Sequence, residues 1–320
     1  MRIVFMGTPD FSVPCLERLI ADKHEIVGVF CREDKAVGRK QILTAPPVKV
    51  CAQQHGIPVF QPKKVKNNPQ ALKQLQLWAP ELVVVVAYGR LLPPEILNLP
   101  KYGCVNVHAS LLPRHRGASP IQWAIVCGDS QTGVTTMQMD EGMDTGAILL
   151  QQKTNISADE TGESLFLRLS QMGAELLSKT VTALAAGTLK ATPQPQAGVT
   201  HAPIITKEMG VLNFNQTAAQ LDCLIRGFTP WPAAFFYANG RRFKVLKAAP
   251  AAVSLLGGPG TACFKNGHFY ICCAQNTGLE VLELCPEGSK KMAAAAFING
   301  RFLPEHTVLS GAGAAQGENA

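Results

Sequence analysis

Residues 82–87 read Leu-Val-Val-Val-Val-Ala, an unbroken apolar run that leaves neither face of a strand polar. A strand that is apolar on both faces must be covered on both, which is the condition of a mostly parallel sheet between layers of helix. The surrounding sequence supplies the rest of such a sheet. Ile3–Phe5, Glu25–Phe30, Pro58–Phe60 and Gly103–His108 are further short strand-like runs, and helical stretches alternate with them. After the first of these strands Ser12 stands where an N-cap is wanted, and Pro14 suits a first helical turn. Leu16, Leu19 and Ile20 then recur at helical spacing. A helix is expected over Ala118–Cys127, alternating segments near Val134–Met139 and Ala147–Lys153, and a long amphipathic helix from about Glu160 to Leu184. The run at 82–87 is far too short to cross a bilayer.

Beyond that helix the texture changes. Thr192-Pro193-Gln194-Pro195-Gln196-Ala197-Gly198 has no periodicity and reads as a linker. From Phe214 onward one helix, Ala218–Arg226, is followed by short strands broken by Asn239-Gly240, Gly257-Gly258-Pro259-Gly260 and Asn266-Gly267, the pattern of a small barrel or sandwich. The expected organisation is a Rossmann-like α/β domain over 1–188, a linker over 189–207, an OB-like β-barrel domain over 208–309 and a disordered tail over 310–320. A length of 320 residues agrees with two domains, and 47% hydrophobic against 17% charged residues excludes a disordered chain. Ten cysteines without a CxxC pair form neither a disulfide framework nor a zinc knuckle, so reduced thiols and no metal are expected. The opening Met1-Arg2-Ile3-Val4-Phe5-Met6-Gly7 reads as a strand entering a turn, unlike a signal peptide, and a cytoplasmic location is expected. Residues 1–189 carry 19 Lys+Arg and 16 Asp+Glu, whereas the shorter remainder carries 11 and 7, so positive charge is denser in the C-terminal part. That distribution suits a polyanionic partner.

Three segments can carry chemistry. Gly7-Thr8-Pro9-Asp10-Phe11-Ser12 sits where a dinucleotide fold places GxGxxG but keeps only the first glycine, which argues against a nicotinamide enzyme. In the fifth strand Asn106 and His108, two residues apart, share a face at the carboxyl end, where open α/β sheets bind ligands. An amide and an imidazole together can donate to a developing oxyanion, and the imidazole can also move a proton. Asp140-Glu141-Gly142-Met143-Asp144-Thr145-Gly146 is a flexible acidic loop able to bring a carboxylate to that imidazole, holding its tautomer and favouring its charged form. Asp144, between two glycines, is the preferred acid, although spacing does not separate it from Asp140. A long basic loop, Cys31 to Gln41, can hold phosphates through Arg39 and Lys40.

The run Asn106-Val107-His108-Ala109-Ser110-Leu111-Leu112-Pro113-Arg114-His115-Arg116-Gly117 closely resembles the signature of folate-dependent formyltransferases. Gly7–Pro14, the loop through Gly38-Arg39, the acidic loop 140–146 and Arg226-Gly227-Phe228-Thr229-Pro230-Trp231-Pro232 resemble the branch that formylates methionyl initiator tRNA. The resemblance spans residue 2 to about 309; His115 stands where Tyr is expected and Ser119 where Ala is expected. It implies that 10-formyltetrahydrofolate is the formyl donor and methionyl initiator tRNA the acceptor, with a catalytic trio of Asn106, His108 and Asp144. It further implies a folate-binding stretch at Ser110, Leu111, Leu112 and Pro113, and tRNA contacts from Arg39, Lys40, Lys207, Arg241 and Arg242, with Lys244, Lys247, Lys290 and Lys291 as further cations. A monomer with no membrane partner is expected. The competing readings are a formyltransferase for a small amine such as an amino sugar nucleotide or glycinamide ribonucleotide, a catalytically silent RNA-binding protein, and, weakest, a nicotinamide oxidoreductase.

Overall fold

The computed structural model describes residues 1–38 and 40–310. The chain divides into two compact units. The first comprises Met1–Pro120, Gln131–Asn155 and Phe166–Pro203; the second comprises Ile121–Ser130, Ile156–Leu165 and the chain from Ile204. The sequence boundary drawn at 188 therefore falls inside the first unit, which continues to Pro203.

In chain order the elements up to residue 202 are β1 (Arg2–Gly7), α1 (Val13–Ala21), β2 (Glu25–Phe30), β3 (Lys35–Val37), β4 (Ile42–Thr44), α2 (Pro47–Gln54), β5 (Val59–Phe60), α3 (Pro69–Trp78), β6 (Leu82–Val86), α4 (Pro94–Leu97), β7 (Cys104–His108), β8 (Arg116–Gly117), α5 (Pro120–Val126), β9 (Gln131–Gln138), β10 (Ile148–Asn155), α6 (Gly162–Ala185) and β11 (His201–Ala202). The main sheet runs β10-β9-β7-β6-β1-β2-β5. Strands β7, β6, β1, β2 and β5 are mutually parallel, and β9 and β10 add an antiparallel flank. Every residue of β6 is buried, as its apolar run requires. This mixed α/β sheet is the one expected from the sequence.

Some local expectations fail for identifiable reasons. Ser12 makes no side-chain cap; its Oγ donates instead to the carbonyl of Val86 at 2.6 Å, tying the start of α1 to the end of β6. Gly7 accommodates that approach, since a Cβ there would lie 2.9 Å from the Ser12 Cβ and 3.0 Å from the Val86 carbonyl oxygen. The polar loop at 31–41 is not featureless: β3 and β4 pair as a hairpin that exposes Val37, Ile42 and Leu43. Asp34, at its base, accepts from Lys49 at 2.8 Å and from Gln61 at 2.8 Å, and these bonds hold its carboxyl below the usual range. Arg39 lies outside the described residues. All ten cysteines are free, and burial pushes the Cys15, Cys104 and Cys273 thiols up to about 12, keeping them protonated.

The second unit contains α7 (Ala218–Gly227), β12 (Ala234–Ala238), β13 (Arg241–Ala251), β14 (Ala262–Lys265), β15 (His268–Cys272), β16 (Gly278–Pro286), β17 (Met292–Ala293) and α8 (Ala294–Asn299). Thr217 and Gln220 form a reciprocal capping box at the start of α7. The strands form an antiparallel sheet in the order β12-β13-β16-β15-β14, with β17 on β16. Its two outer strands are joined through the segment 306–310. Ser310 bridges Tyr237 of β12, Val308 bridges Thr261, and the His306 amide donates to the Ala262 carbonyl of β14 at 2.8 Å. Ser310, placed by sequence at the start of a disordered tail, thus belongs to this seam; residues 311–320 lie outside the described residues. Asn239 and Gly240 both have positive φ, as the hairpin turn between β12 and β13 demands. Phe236, Phe243, Phe269 and Phe297 fill the core of this unit.

Candidate active site

Strand β7 carries Asn106 and His108 out of the parallel sheet at the end where the next loop begins. Asn106 pairs in register with Val85 on one side and Met137 on the other, and His108 with Thr135, so both side chains issue from fixed backbone. The two converge on Asp144. Asn106 Nδ2 lies 3.5 Å from Asp144 Oδ1, and His108 Nδ1 lies 3.6 Å from Asp144 Oδ2. His108 is 6% exposed and the Asp144 side chain 14%, so the pair is largely withdrawn from water and weakly screened. The other imidazole nitrogen, Nε2, lies 3.0 Å from the carbonyl oxygen of His115. Both ring nitrogens therefore face oxygen acceptors, which fixes the plane of the imidazole.

The structure separates the two acids that spacing left open. Asp140 turns back on its own loop, where Oδ1 accepts from the Gly142 amide at 3.1 Å and the Thr145 hydroxyl at 2.7 Å. Asp144 faces the imidazole, and its Oδ2 also accepts the Gly117 amide at 2.8 Å. Its backbone has φ of 55°, a left-handed conformation that non-glycine residues seldom adopt and that needs support from its surroundings.

The stretch Ser110–Pro113 forms a rigid wall beside this group. Thr135 Oγ1 donates to the Ser110 carbonyl at 2.7 Å and accepts the Leu112 amide at 3.1 Å. Gln151 Nε2 donates to the Leu112 carbonyl at 2.9 Å and to Thr135 Oγ1 at 2.9 Å. Leu111 and Pro113 remain half-buried. His115, the departure from the expected signature, is 3% exposed and serves His108 through its main-chain oxygen rather than its ring. A cavity of about 900 Å³ shares Asp140, Glu141 and Gly142 with the acidic loop and is also lined by Leu97, Tyr102 and Met139; none of the trio lines it.

The cations lie apart from the trio in sequence, and their surroundings differ. Lys40 and Lys207 are exposed. Arg241 is exposed and Arg242 half-buried on β13 beside the Asn239-Gly240 turn, their guanidinium groups over the rings of Phe243 and Phe235 at 5.9 and 5.5 Å. Arg242 also lies 3.8 Å from Glu287, and Lys291 3.6 Å from Glu283, loose exposed pairs that hold the charges weakly.

Residues 1–181 match the Formyl transferase family, and residues 204–301 match the Formyl transferase C-terminal domain. The methionyl-tRNA formyltransferase of Caldanaerobacter subterraneus is 44% identical over 311 residues, covering 97% of this chain and 100% of that protein. The chain belongs to the methionyl-tRNA formyltransferase family. The member from Myxococcus xanthus is 46% identical over 303 residues, covering 94% of this chain and 96% of that one. Among solved structures, the sugar 3N-formyl transferase WlaRD superposes with a TM-score of 0.67 at 18% identity over 91% of this chain and 99% of that one. HypX from Aquifex aeolicus in complex with tetrahydrofolic acid superposes at 0.61 and 18% identity, over 95% of this chain and 47% of that one. At such identities these neighbours attest the formyltransferase fold alone. Sequence reasoning did not single out the groups that surround Asn106, His108 and Asp144, namely the His115 carbonyl, the Gly117 amide, Thr135 and Gln151. The Gly117 amide alone had a sequence signal, since glycine at that position admits the close approach of the Ala202 carbonyl, 2.7 Å from where a Cβ would sit.

Proposed function

We propose that this chain transfers the formyl group of 10-formyltetrahydrofolate to the α-amino group of methionyl initiator tRNA, with Asn106, His108 and Asp144 performing the transfer. The observation that carries this reading is the convergence of an amide and an imidazole on one half-buried carboxylate. Both separations from Asp144 exceed an ordinary hydrogen bond, so the Asn106 amide and the His108 Nδ1–H are able to turn to an oxygen placed between them. The neutral amine attacks the formyl carbon, and the two donors stabilise the negative charge gathering on the formyl oxygen. As the bond between carbon and the folate N10 breaks, Asp144, acting through a water, relays a proton from the amine to the departing nitrogen while keeping His108 charged. Ser110–Pro113 would present the folate-side wall, which Thr135 and Gln151 make rigid. The chain works in the cytoplasm, where translation supplies the acceptor.

The charged tRNA would be gripped through phosphate. Lys207, Arg241 and Arg242, together with Arg39 and Lys40, are the groups proposed for this, and Val37, Ile42 and Leu43 give the β3–β4 hairpin an apolar surface. Arg241→Ala and Arg242→Ala should each weaken tRNA binding and reduce the slope of log K against log salt by about 1, as loss of one phosphate contact does. An unchanged slope in filter binding over a salt series would remove them from the interface. Arg39→Ala should lower kcat/KM for the charged tRNA, and an unchanged value would exclude that side chain from acceptor recognition.

The deciding assay offers 10-formyltetrahydrofolate with methionyl initiator tRNA, free methionine and an amino sugar nucleotide in parallel. Formylation confined to the charged tRNA supports the reading. Transfer to the sugar nucleotide would keep the chemistry and reassign the acceptor, and no transfer to any of the three would favour a binding protein.

A further inference from the structure

We infer that Gln194 is a positioning residue for formyl transfer: its side-chain amide holds Asp144 in the left-handed conformation from which the carboxylate reaches His108. The inference rests on the reading of Asp144 given above. Gln194 comes from the stretch the sequence presented as a linker, and its hydrogen-bonding capacity is fully used. Nε2 donates to the Asp144 carbonyl at 2.8 Å and to the Gly146 carbonyl at 2.8 Å, gripping the loop on both sides of Thr145. Oε1 accepts from Arg116 Nε at 3.0 Å and Nη2 at 2.7 Å, a two-pronged contact from a planar guanidinium. Arg116 directly precedes Gly117, whose amide binds the Asp144 carboxylate. A closed circuit results: the carboxylate of Asp144 is held by residue 117, and its main-chain carbonyl is held by residue 116 through Gln194.

Both ends of the circuit are anchored. Thr192, two residues before Gln194, exchanges backbone hydrogen bonds with Ile148 at 2.7 and 2.8 Å, and Arg116 and Gly117 pair in parallel with His201 and Ala202. The loop is also tightly packed at Gly146, where a Cβ would overlap the Gln138 carbonyl oxygen. A staple serving only stability would need none of this directed at the one residue whose φ is 55° and whose side chain meets the imidazole.

Gln194→Glu is the informative substitution, because it keeps the volume and the acceptor for Arg116 while removing both donors to the loop. The expected result is a fall in kcat of about 100-fold, the scale of a misplacement near 1 Å, with KM for methionyl-tRNA and for the formyl donor each changed by less than about twofold. Gln194→Ala should behave alike, and thermal melts of both variants identify any that fail to fold. In an Asp144→Asn background, followed by single turnover, Gln194→Glu should cost less than about threefold more, because two residues acting as one unit do not lose activity independently. Wild-type kcat in Gln194→Glu, a rise in KM at constant kcat, or the same factor lost in both backgrounds would overturn the inference. Should Asp144→Asn itself retain wild-type kcat, the catalytic reading beneath fails and takes the inference with it. A slow Asp144→Asn beside an unaffected Gln194→Glu defeats the inference alone.

Discussion

His108→Ala should lower kcat by about 100- to 1,000-fold while leaving the affinity for methionyl-tRNA within about twofold, the signature of an interaction made only in the transition state. The imidazole is the meeting point of three groups: the Asp144 carboxylate at 3.6 Å, the His115 carbonyl at 3.0 Å and, in the proposed transition state, the formyl oxygen. Alanine removes the donor proposed to meet the formyl oxygen, equivalent to about 3–4 kcal/mol of barrier. Asp144→Ala should act in the same direction, since it leaves the imidazole without its counter-charge and the Gly117 amide without its acceptor. The double variant should be little worse than the poorer single one, because groups that act as a unit are not additive. Steady-state and single-turnover formylation with separate binding isotherms would check this; loss of binding at preserved kcat would give both residues a structural role instead.

The second large effect concerns stability. Phe297→Ala should destabilise the second unit by about 3–5 kcal/mol, a large part of the roughly 5–15 kcal/mol available to a folded protein. Phe297 is fully buried and stacks on Phe269 at 5.4 Å and on Phe302 at 5.1 Å, with Phe243 edge-on at 5.8 Å, so no small movement refills its volume. Urea unfolding followed by fluorescence and limited proteolysis should show this unit opening early. An unchanged midpoint would mean that the aromatic stack does not carry the barrel. Because the trio lies in the first unit, the capacity to bind the formyl donor should survive the substitution better than use of the charged tRNA.

The sheet was legible because burial on both faces writes itself into residues 82–87, and the alternation of strands and helices around that run admits few other folds. The trio was legible in part. Strand periodicity puts Asn106 beside His108, and the flanking glycines and the family resemblance favour Asp144; what separates it geometrically from Asp140 is the loop's own hydrogen bonds, which no spacing rule encodes. The Asn239-Gly240 turn was read from its two residues because their preference for positive φ is intrinsic. Gln194 was invisible for the opposite reason: an amide between two prolines has no periodicity, and its partners at 116, 144 and 146 are distant in sequence. Ser12 misled because a serine near a helix start can serve the helix or a neighbouring strand, and only packing decides.

The seam at 306–310 sets an order of events at the ribosome. Its residues emerge after all the strands they join, so β12 to β17 can pair as they appear while the outer strands stay unjoined until 306–310 follows. During that interval Tyr237 of β12 and Thr261–Ala262 at the start of β14 lack the partners that 306–310 supply, whereas Phe235 of β12 is already bridged by Val211. A nascent chain stalled at residue 305 would therefore display unpaired backbone at Tyr237 and Thr261–Ala262 that 306–310 later covers, a mark by which quality-control factors could tell it from a chain that carries the seam.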